Sequence, residues 1–569
     1  MIHRKLLLLP VFTALSMCAK QGMPPGGPVD KTPPEVIRTI PASGDTLLDV
    51  NTSVQVWFSE GIQSSTARDA IFITPYSGED VKYKWRGKKC TIAFPMPLKS
   101  DRTYVITLGT GIKDYRGNAM KNSTTIAFST GAILDECEMS GRVYGLSDAR
   151  GIDVWAYSIE DSLNPDPSVV EPDYIVQCGT TGEFTFTHVS PGLYRLFAVR
   201  DRISDRLYES GEDEVGVTFR DVFLSREEFQ ESGSLYFRMT REDTTGPSVI
   251  KVDAVDRHRV TIHFNEAISQ KSVLSESSVS IVSADDPTET LRVRQSYRDP
   301  MNAQVVHVST QPQSPGKKYR ITMESLRDEA GNPVALKTRE ATFDGNAEPD
   351  TTRPVLVRAV PQPGEAHAGL DGILLTFNEP MDSIRFSDGF SLADTSGWSV
   401  QGTVAWNDPA EFVFRSDRRL KSRSVYEIRV LGKDAKDLAG NSLSDTAFTF
   451  ITVDADTLSE IAGNVSDPDS SAAGPIYVTA RKVGREETVY TSVLAGPGAY
   501  RLKDVLPGSY LLESFRDEDN NGRYSLGRPF PFKHSERFTV YGDTVRVRSK
   551  WFNEGNDIRL PWVETGRVR

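Results

Sequence analysis

Three landmarks recur three times along this chain in a fixed order, and that recurrence limits the fold more than any other feature. The repeats open at Asp30-Lys31-Thr32-Pro33-Pro34, Asp243-Thr244-Thr245-Gly246-Pro247 and Asp350-Thr351-Thr352-Arg353-Pro354. Each then reaches a run with apolar residues two apart: Val54, Val56, Phe58; Val260, Ile262, Phe264; Ile373, Leu375, Phe377. Residues two apart share one face of an extended strand, so these read as half-buried strands, closed by Glu60, Glu266 and Glu379. A second strand follows in each copy (Tyr104, Ile106, Leu108; Tyr319, Ile321, Met323; Tyr426, Ile428, Val430). It leads to a turn, Asp114 to Gly117-Asn118, Asp328 to Gly331-Asn332 or Asp437 to Gly440-Asn441. Asp bonds the amides ahead of it, and Gly and Asn tolerate positive φ, so the spacing suits a tight turn. A final strand ends each copy (Ile126 to Ser129, Ala341 to Phe343, Ala447 to Phe450).

The segments between and after these repeats match each other instead. Ser140-Gly141-Arg142-Val143 pairs with Ala462-Gly463-Asn464-Val465. Val189-Ser190-Pro191-Gly192-Leu193-Tyr194 pairs with Val505-Leu506-Pro507-Gly508-Ser509-Tyr510, and both copies run on to an Arg-Asp step at Asp201 and Asp517. At 569 residues the chain is too long for one hydrophobic core. Dense strand signals with few helical patterns fit sandwiches.

The first repeat type resembles the bacterial Ig-like domains of the SbsA type. The opening Asp, the Phe-Ser/Asn-Glu strand end and the Asp-x-x-Gly-Asn turn carry the likeness. The second type resembles transthyretin-like or carboxypeptidase-regulatory-like sandwiches, through its Gly-x-Val opening and Pro-Gly-x-Tyr turn. The expected fold is therefore all-β, a tandem array of five β-sandwich domains. Three are Ig-like (30–132, 243–347, 350–454) and two transthyretin-like (136–241, and 457–569 with the C-terminal tail).

Ahead of them, Arg4 and Lys5 precede an apolar run from Leu6 to Leu15, about the length of a signal h-region and too short to span a bilayer. It stops at Leu15-Ser16-Met17-Cys18, which resembles a bacterial lipobox, although Met17 stands where a small residue is usual. The likeness implies a lipoprotein signal peptide over 1–17, a lipid on Cys18 and attachment to the outer membrane. Residues 18–29 form a Pro/Gly-rich tether. The whole arrangement resembles Ig-domain lipoproteins of the Bacteroidetes.

Four cysteines occur in all, and none has CxxC spacing, which argues against zinc and thioredoxin-type sites. With Cys18 acylated, Cys137 and Cys178 can pair in an oxidising compartment or stay as buried thiols. The net charge of −12, without a Lys/Arg stripe, excludes nucleic acid as a natural partner. The seven histidines show no metalloprotease spacing, and nucleophile-elbow and phosphate-loop motifs are missing. Glu60, Glu266 and Glu379 belong to different repeats and read as structural residues, so a non-enzyme is expected.

One loop has ligand-binding chemistry. Asp517, Asp519 and Asn521 place oxygens at alternate positions before Gly522, as in the first half of a calcium loop. Arg523 offers its carbonyl and Ser525 its hydroxyl. Arg528 stands where such a loop has glutamate, so Ca²⁺ would bind weakly, or a carboxylate from elsewhere would close the site; a plain polar turn is the competing reading. Asp-Thr/Ser before an aliphatic residue or Thr occurs eight times and resembles the periplasmic O-glycosylation sequon of Bacteroidetes, with Thr46 and Ser162 the best candidates. The expected function is a non-enzymatic, lipid-anchored envelope protein that spaces, scaffolds or adheres. Its partners would be the membrane and an envelope protein or glycan. The alternative is a glycan-binding accessory lipoprotein of a polysaccharide-uptake system, with Trp155, Trp398 or Trp406 as a sugar platform.

Overall fold

The computed structural model describes residues 30–562, apart from 69, 76–80, 147, 160–163, 226–234, 276–277, 370–371 and 486–487. Two compact units are present. The first holds the residues up to Ile133 except Thr74–Tyr76, and the second runs from Leu134 onward. Almost all regular structure is β, as the sequence pattern requires.

In the first unit a four-stranded sheet runs in the order Val36–Ile40, Val54–Phe58, Lys89–Ala93, Lys82–Arg86. A three-stranded sheet holds Ile71–Thr74, Thr103–Leu108 and Thr124–Ser129. Val54, Val56 and Phe58 from one sheet and Tyr104, Ile106 and Leu108 from the other are all buried in one apolar cluster. Period-2 alternation is therefore spent on a core between two layers.

The second unit repeats this arrangement twice. Val249–Asp256, Arg259–Phe264, Val305–Thr310 and Val293–Arg298 form one four-stranded sheet. Leu356–Val360, Gly372–Phe377, Glu411–Ser416 and Gly402–Asp408 form the other. Each is backed by a second sheet containing the tyrosine strand, Lys318–Thr322 or Val425–Val430. The landmark tyrosine does the same work three times. Its hydroxyl accepts from an amide five residues upstream (Lys99, Ser314 and Lys421, at 2.7, 3.0 and 2.9 Å). Its ring stacks on the phenylalanine of the last strand (Phe128, Phe343, Phe450).

The two segments of the second repeat type also share a strand order. Strands Asp153–Ser158 and Ile476–Lys482 each lie beside the strand that follows the Pro-Gly turn, Gly192–Arg200 or Gly508–Arg516. In the opposing sheet the last strand runs parallel to the first, Leu235–Arg238 on Cys137–Tyr144 and Ile558–Arg559 on Ser459–Ser466. Tyr194 and Tyr510 each donate to a carbonyl four residues back, pinning the turn. Across the described residues the buried apolar side chains fall into five clusters, one for each repeated segment.

Short helices at Ser64–Arg68, Gln270–Val273 and Ser383–Gly389 follow the landmark glutamates. None reaches two turns, too short for a 3.6-residue period to show in the sequence. Neighbours in sequence are not the only neighbours in space. Tyr144 and Tyr236 pack on Phe538, the Arg195 guanidinium lies 3.5 Å from the Phe532 ring centre, and Arg238 pairs with Glu513 at 3.1 Å. The two segments of the second repeat type thus pack together within the second unit.

Neither Cys137 nor Cys178 is in a disulfide. Cys178 is buried in the apolar core, which pushes its thiol up to about 12, while the Cys137 sulfur lies 3.6 Å from the Ser225 carbonyl.

Candidate carboxylate clusters and cation sites

The landmarks that recur in sequence converge in space. Asp30, Glu60 and Asp114 each offer one oxygen, all within 4.8 Å of one another, and so do Asp243, Glu266 and Asp328, and Asp350, Glu379 and Asp437. The turn aspartate is nearly inaccessible in each case, at 1, 3 and 4 % exposed. It accepts the amide of the Asn four residues on at 2.8 Å in all three copies. That Asn side chain reaches the carbonyl of the opening Asp (Asn118 to Asp30 3.1 Å, Asn332 to Asp243 2.8 Å, Asn441 to Asp350 3.2 Å). A β-bridge joins the turn aspartate to the residue two beyond the glutamate (Ile62, Ile268, Met381). Gly117, Gly331 and Gly440 sit at φ near +90°, where a Cβ is strained. The opening Asp, the strand-end Glu and the turn are therefore one device closing the end of the sandwich.

Three carboxylates in so small a space repel. Burial first, then the two aspartates, push the Glu60 and Glu266 carboxyls above their usual range. In the third repeat burial moves Glu379 up to about 7 against the pull of Arg259. Such a cluster is relieved by sharing a proton or by a cation, and three carboxylates are a hard-oxygen set suited to a divalent ion. Read singly, Glu60, Glu266 and Glu379 looked merely structural. The signal that finds the triads is that each landmark of one repeat carries one acidic residue.

The fourth cluster joins Asp517, Asp519 and Glu536. Asp517 and Glu536 are buried and Asp519 is at the rim. Asp517 accepts the amides of Asn521 and Gly522 at 3.0 and 2.8 Å. Asn521 accepts from the Arg523 amide at 2.7 Å, and the Ser525 hydroxyl donates to Asp519 at 2.9 Å. Asp517, Asp519, Asn521 and Ser525 thus share one tight loop. Arg528 is exposed, and the third carboxylate comes from Glu536 outside the loop. Glu536 accepts the amides of Glu518 and Ser525 at 2.8 and 2.9 Å. Burial outweighs those bonds and holds its carboxyl above the usual range. Lys533 stands 3.2 Å from Asp519. The Arg523 side chain lies 3.9 Å from Glu329 of the segment that opens at Asp243, so what Arg523 could offer a cation is its carbonyl.

The remaining sequence candidates scatter. Trp155 is fully buried, Trp406 is half-buried and packs on Phe386 and Phe412, and Trp398 is 73 % exposed. They make no common sugar platform. Thr46 is exposed, while Cys18 and Ser162 lie outside the described residues. His263 is partly exposed beside Asp253.

These sandwiches and their end-closing turns define an all-β protein built from tandem sandwich segments. Residues 30–130 and 350–452 match the family model described as a bacterial Ig-like domain. The chain is similar to the N-terminal part of the bacterial S-layer protein SbsC (13 % identity, covering 36 % of this chain and 44 % of that one, TM-score 0.17). It is also similar to CopC from Methylosinus trichosporium OB3b (19 % identity, 18 % of this chain, 94 % of that one, TM-score 0.15). A further likeness is to an L,D-transpeptidase from Mycobacterium smegmatis (15 % identity, 37 % and 90 %, TM-score 0.16). The chain spans less than half the length of the first of these. No curated protein matches the sequence.

Proposed function

We propose that this chain is a non-enzymatic cell-envelope lipoprotein, held to the outer membrane through Cys18, whose five sandwich segments space or scaffold a binding surface. The observation that carries this reading is what the repeated polar residues do. They close turns, cap sandwich ends and fasten one segment to another, as in Arg259–Glu379, Arg220–Asp469 and Arg419–Asp504. A sugar-platform role is less favoured, because Trp155 is buried in a core and Trp406 is half-buried against one. The test is Cys18→Ser in the native host. Release of the protein from the membrane fraction is expected, and unchanged detergent-phase partitioning overturns the anchor. Protease shaving of intact cells then reports which face it occupies and whether a surface partner is plausible.

The loop at Asp517 is proposed to take Ca²⁺ as a stabilising ion. Asp517, Asp519, Asn521, the Arg523 carbonyl and Ser525 would provide its oxygens, with Glu536 in place of the carboxylate missing at Arg528. Ca²⁺ accepts six to eight oxygens, and a site this short of carboxylates suits an affinity on the order of millimolar. Binding only to the folded state adds stability by mass action, about 1.4 kcal/mol at ten times Kd. The full chain should unfold later in excess Ca²⁺ than in chelator through its last segment, and Asp519→Ala should remove the difference. No shift in the unmutated protein overturns the proposal.

A further inference from the structure

Among the described residues, a cation from another segment reaches the third carboxylate triad. Arg259 begins the Arg259–Phe264 strand of the second Ig-like repeat, yet its Nη1 donates to Glu379 Oε2 of the third at 3.0 Å. Its Nη2 lies 4.0 Å from Asp350 Oδ2, and its Nε 3.3 Å from Asp256 Oδ2. The side chain is 16 % exposed. Glu379 is only 2 % exposed, whereas Glu60 and Glu266 at the matching places are half-buried. The other oxygen of Glu379, Oε1, is buried with no hydrogen-bond partner among the described residues, and Glu379 shares its cluster with Asp350 and Asp437. A buried carboxylate oxygen without a donor is costly, and a positive charge held against the same carboxylate offsets part of that cost.

The backbone around Arg259 holds it in that position. The Arg257 amide donates to the Glu348 carbonyl at 2.9 Å, and the Asn346 side chain donates to the Ala254 and Val255 carbonyls at 3.0 and 3.1 Å. The Gln313 side chain donates to the Asp256 carbonyl at 3.1 Å and accepts the Asn346 amide at 3.0 Å. The hairpin tip from Asp256 to Arg259 is thereby stitched to the link between the repeats, and the guanidinium is aimed into the next sandwich.

We propose that the triad Asp350–Glu379–Asp437 is a cation site whose resident cation is the Arg259 guanidinium, standing where a divalent ion would bind and bolting the second Ig-like repeat to the third. A guanidinium is planar and always charged, and its fork can meet several carboxylates at once, which one ammonium centre cannot. The bolt therefore needs no metal, and this junction stays fixed whatever the divalent-ion concentration. The inference is independent of the loop at Asp517, since it concerns other residues and a different segment.

The test uses the full chain and amide hydrogen exchange read on peptides covering 346–350, 377–381 and 434–441. In the unmutated protein, millimolar Ca²⁺ should leave these peptides unchanged. In Arg259→Ala with chelator, their exchange should quicken by on the order of a hundredfold, because a buried carboxylate has lost its partner. Adding millimolar Ca²⁺ to Arg259→Ala should restore protection, and should fail to do so in Arg259→Ala/Glu379→Gln. Arg259→Lys should fall between the two. Unchanged exchange in Arg259→Ala overturns the bolt. Quickened exchange that Ca²⁺ does not slow overturns the cation site. Changes confined to peptides around 517–536 count for the loop there and not for this junction.

Discussion

Replacing Asp467 should be the most damaging single substitution in the last segment. Its side chain is fully buried between two arginines. Arg516 donates to it at 2.7 Å, and Arg537 donates through both terminal nitrogens at 2.6 and 3.0 Å. Arg516 also bonds the Ala472 and Ala473 carbonyls, and Arg537 reaches Glu518 at 3.2 Å. These arginines are the residues just before Asp517 and just after Glu536, so the network pins both ends of the candidate cation loop. Removing one partner of a buried ion pair typically costs about 3–5 kcal/mol, because the other charge is left without compensation. Against a domain stability of about 5–15 kcal/mol, that is a large fraction. The exposed pair Lys550–Asp456, 69 and 77 % exposed, sets the contrast, since such pairs contribute roughly 0–1 kcal/mol. Hydrogen exchange in the strands Ile476–Lys482 and Gly508–Arg516 of the full chain measures both. Asp467→Ala should lower their opening free energy by about 3 kcal/mol or more, and Asp456→Ala by less than about 1. Asp467→Asn should recover little, since it keeps the shape but not the charge. Burial pushes the Asp467 carboxyl up, but the two arginines outweigh it and hold it below its ordinary value. Its contribution is therefore present above the unfolded pKa of about 3.9 and lost as pH falls through the lower folded value. The gap between wild type and Asp467→Ala should be full at pH 7 and close below about pH 4. Equal effects of Asp467→Ala and Asp456→Ala would refute the reasoning.

Asp153 should show the opposite pH dependence. Burial raises its carboxyl to about 7 although Gln177 donates to it at 3.1 Å, so its stabilising contribution holds below about pH 4 and fades as pH rises towards 7. Asp153→Asn should flatten that decline, and chemical denaturation at pH 5 and pH 7 will show whether the variant's relative advantage grows with pH. Burial pushes the Cys90 and Cys178 thiols each up to about 12. Alkylation of the native protein at pH 8 should leave both unmodified until denaturant is added, and rapid native labelling of either would contradict the burial.

The layered fold was readable because burial follows simple periods. Val54, Val260 and Ile373 head strands whose alternate residues are buried, and Tyr104, Tyr319 and Tyr426 do so on the facing sheet. What escaped was set by contacts far apart in sequence. Nothing near Phe532 or Phe538 indicates that they pack on Arg195 and Tyr144, because aromatic residues serve a core and an interface equally well. Trp155 and Trp406 illustrate the same ambiguity. Exposed aromatics would have suited a sugar platform, but Trp155 is buried and Trp406 is half-buried against a core.

The acidic landmarks carry a different lesson. A glutamate after a strand, an aspartate before a Thr-x-Pro step and an aspartate opening a Gly-Asn turn each have a sufficient local explanation, and each explanation is correct here as far as it goes. Asp114 does cap its turn, and Asp30 does accept the Thr32 amide at 3.0 Å. Their joint consequence appears only when the sandwich closes and brings residues 30, 60 and 114 together. Folding must then offset a repulsion that no single motif creates. A protein can accept such a cost where a counter-charge is supplied, and in the third repeat it is supplied by Arg259. The same logic explains the loop at Asp517, where Arg528 broke the expected pattern in sequence and Glu536, close only after folding, contributes the third carboxylate. Charge clusters assembled from separate, locally satisfied turns are thus the features of a repeat protein that sequence periodicity conceals and tertiary closure creates.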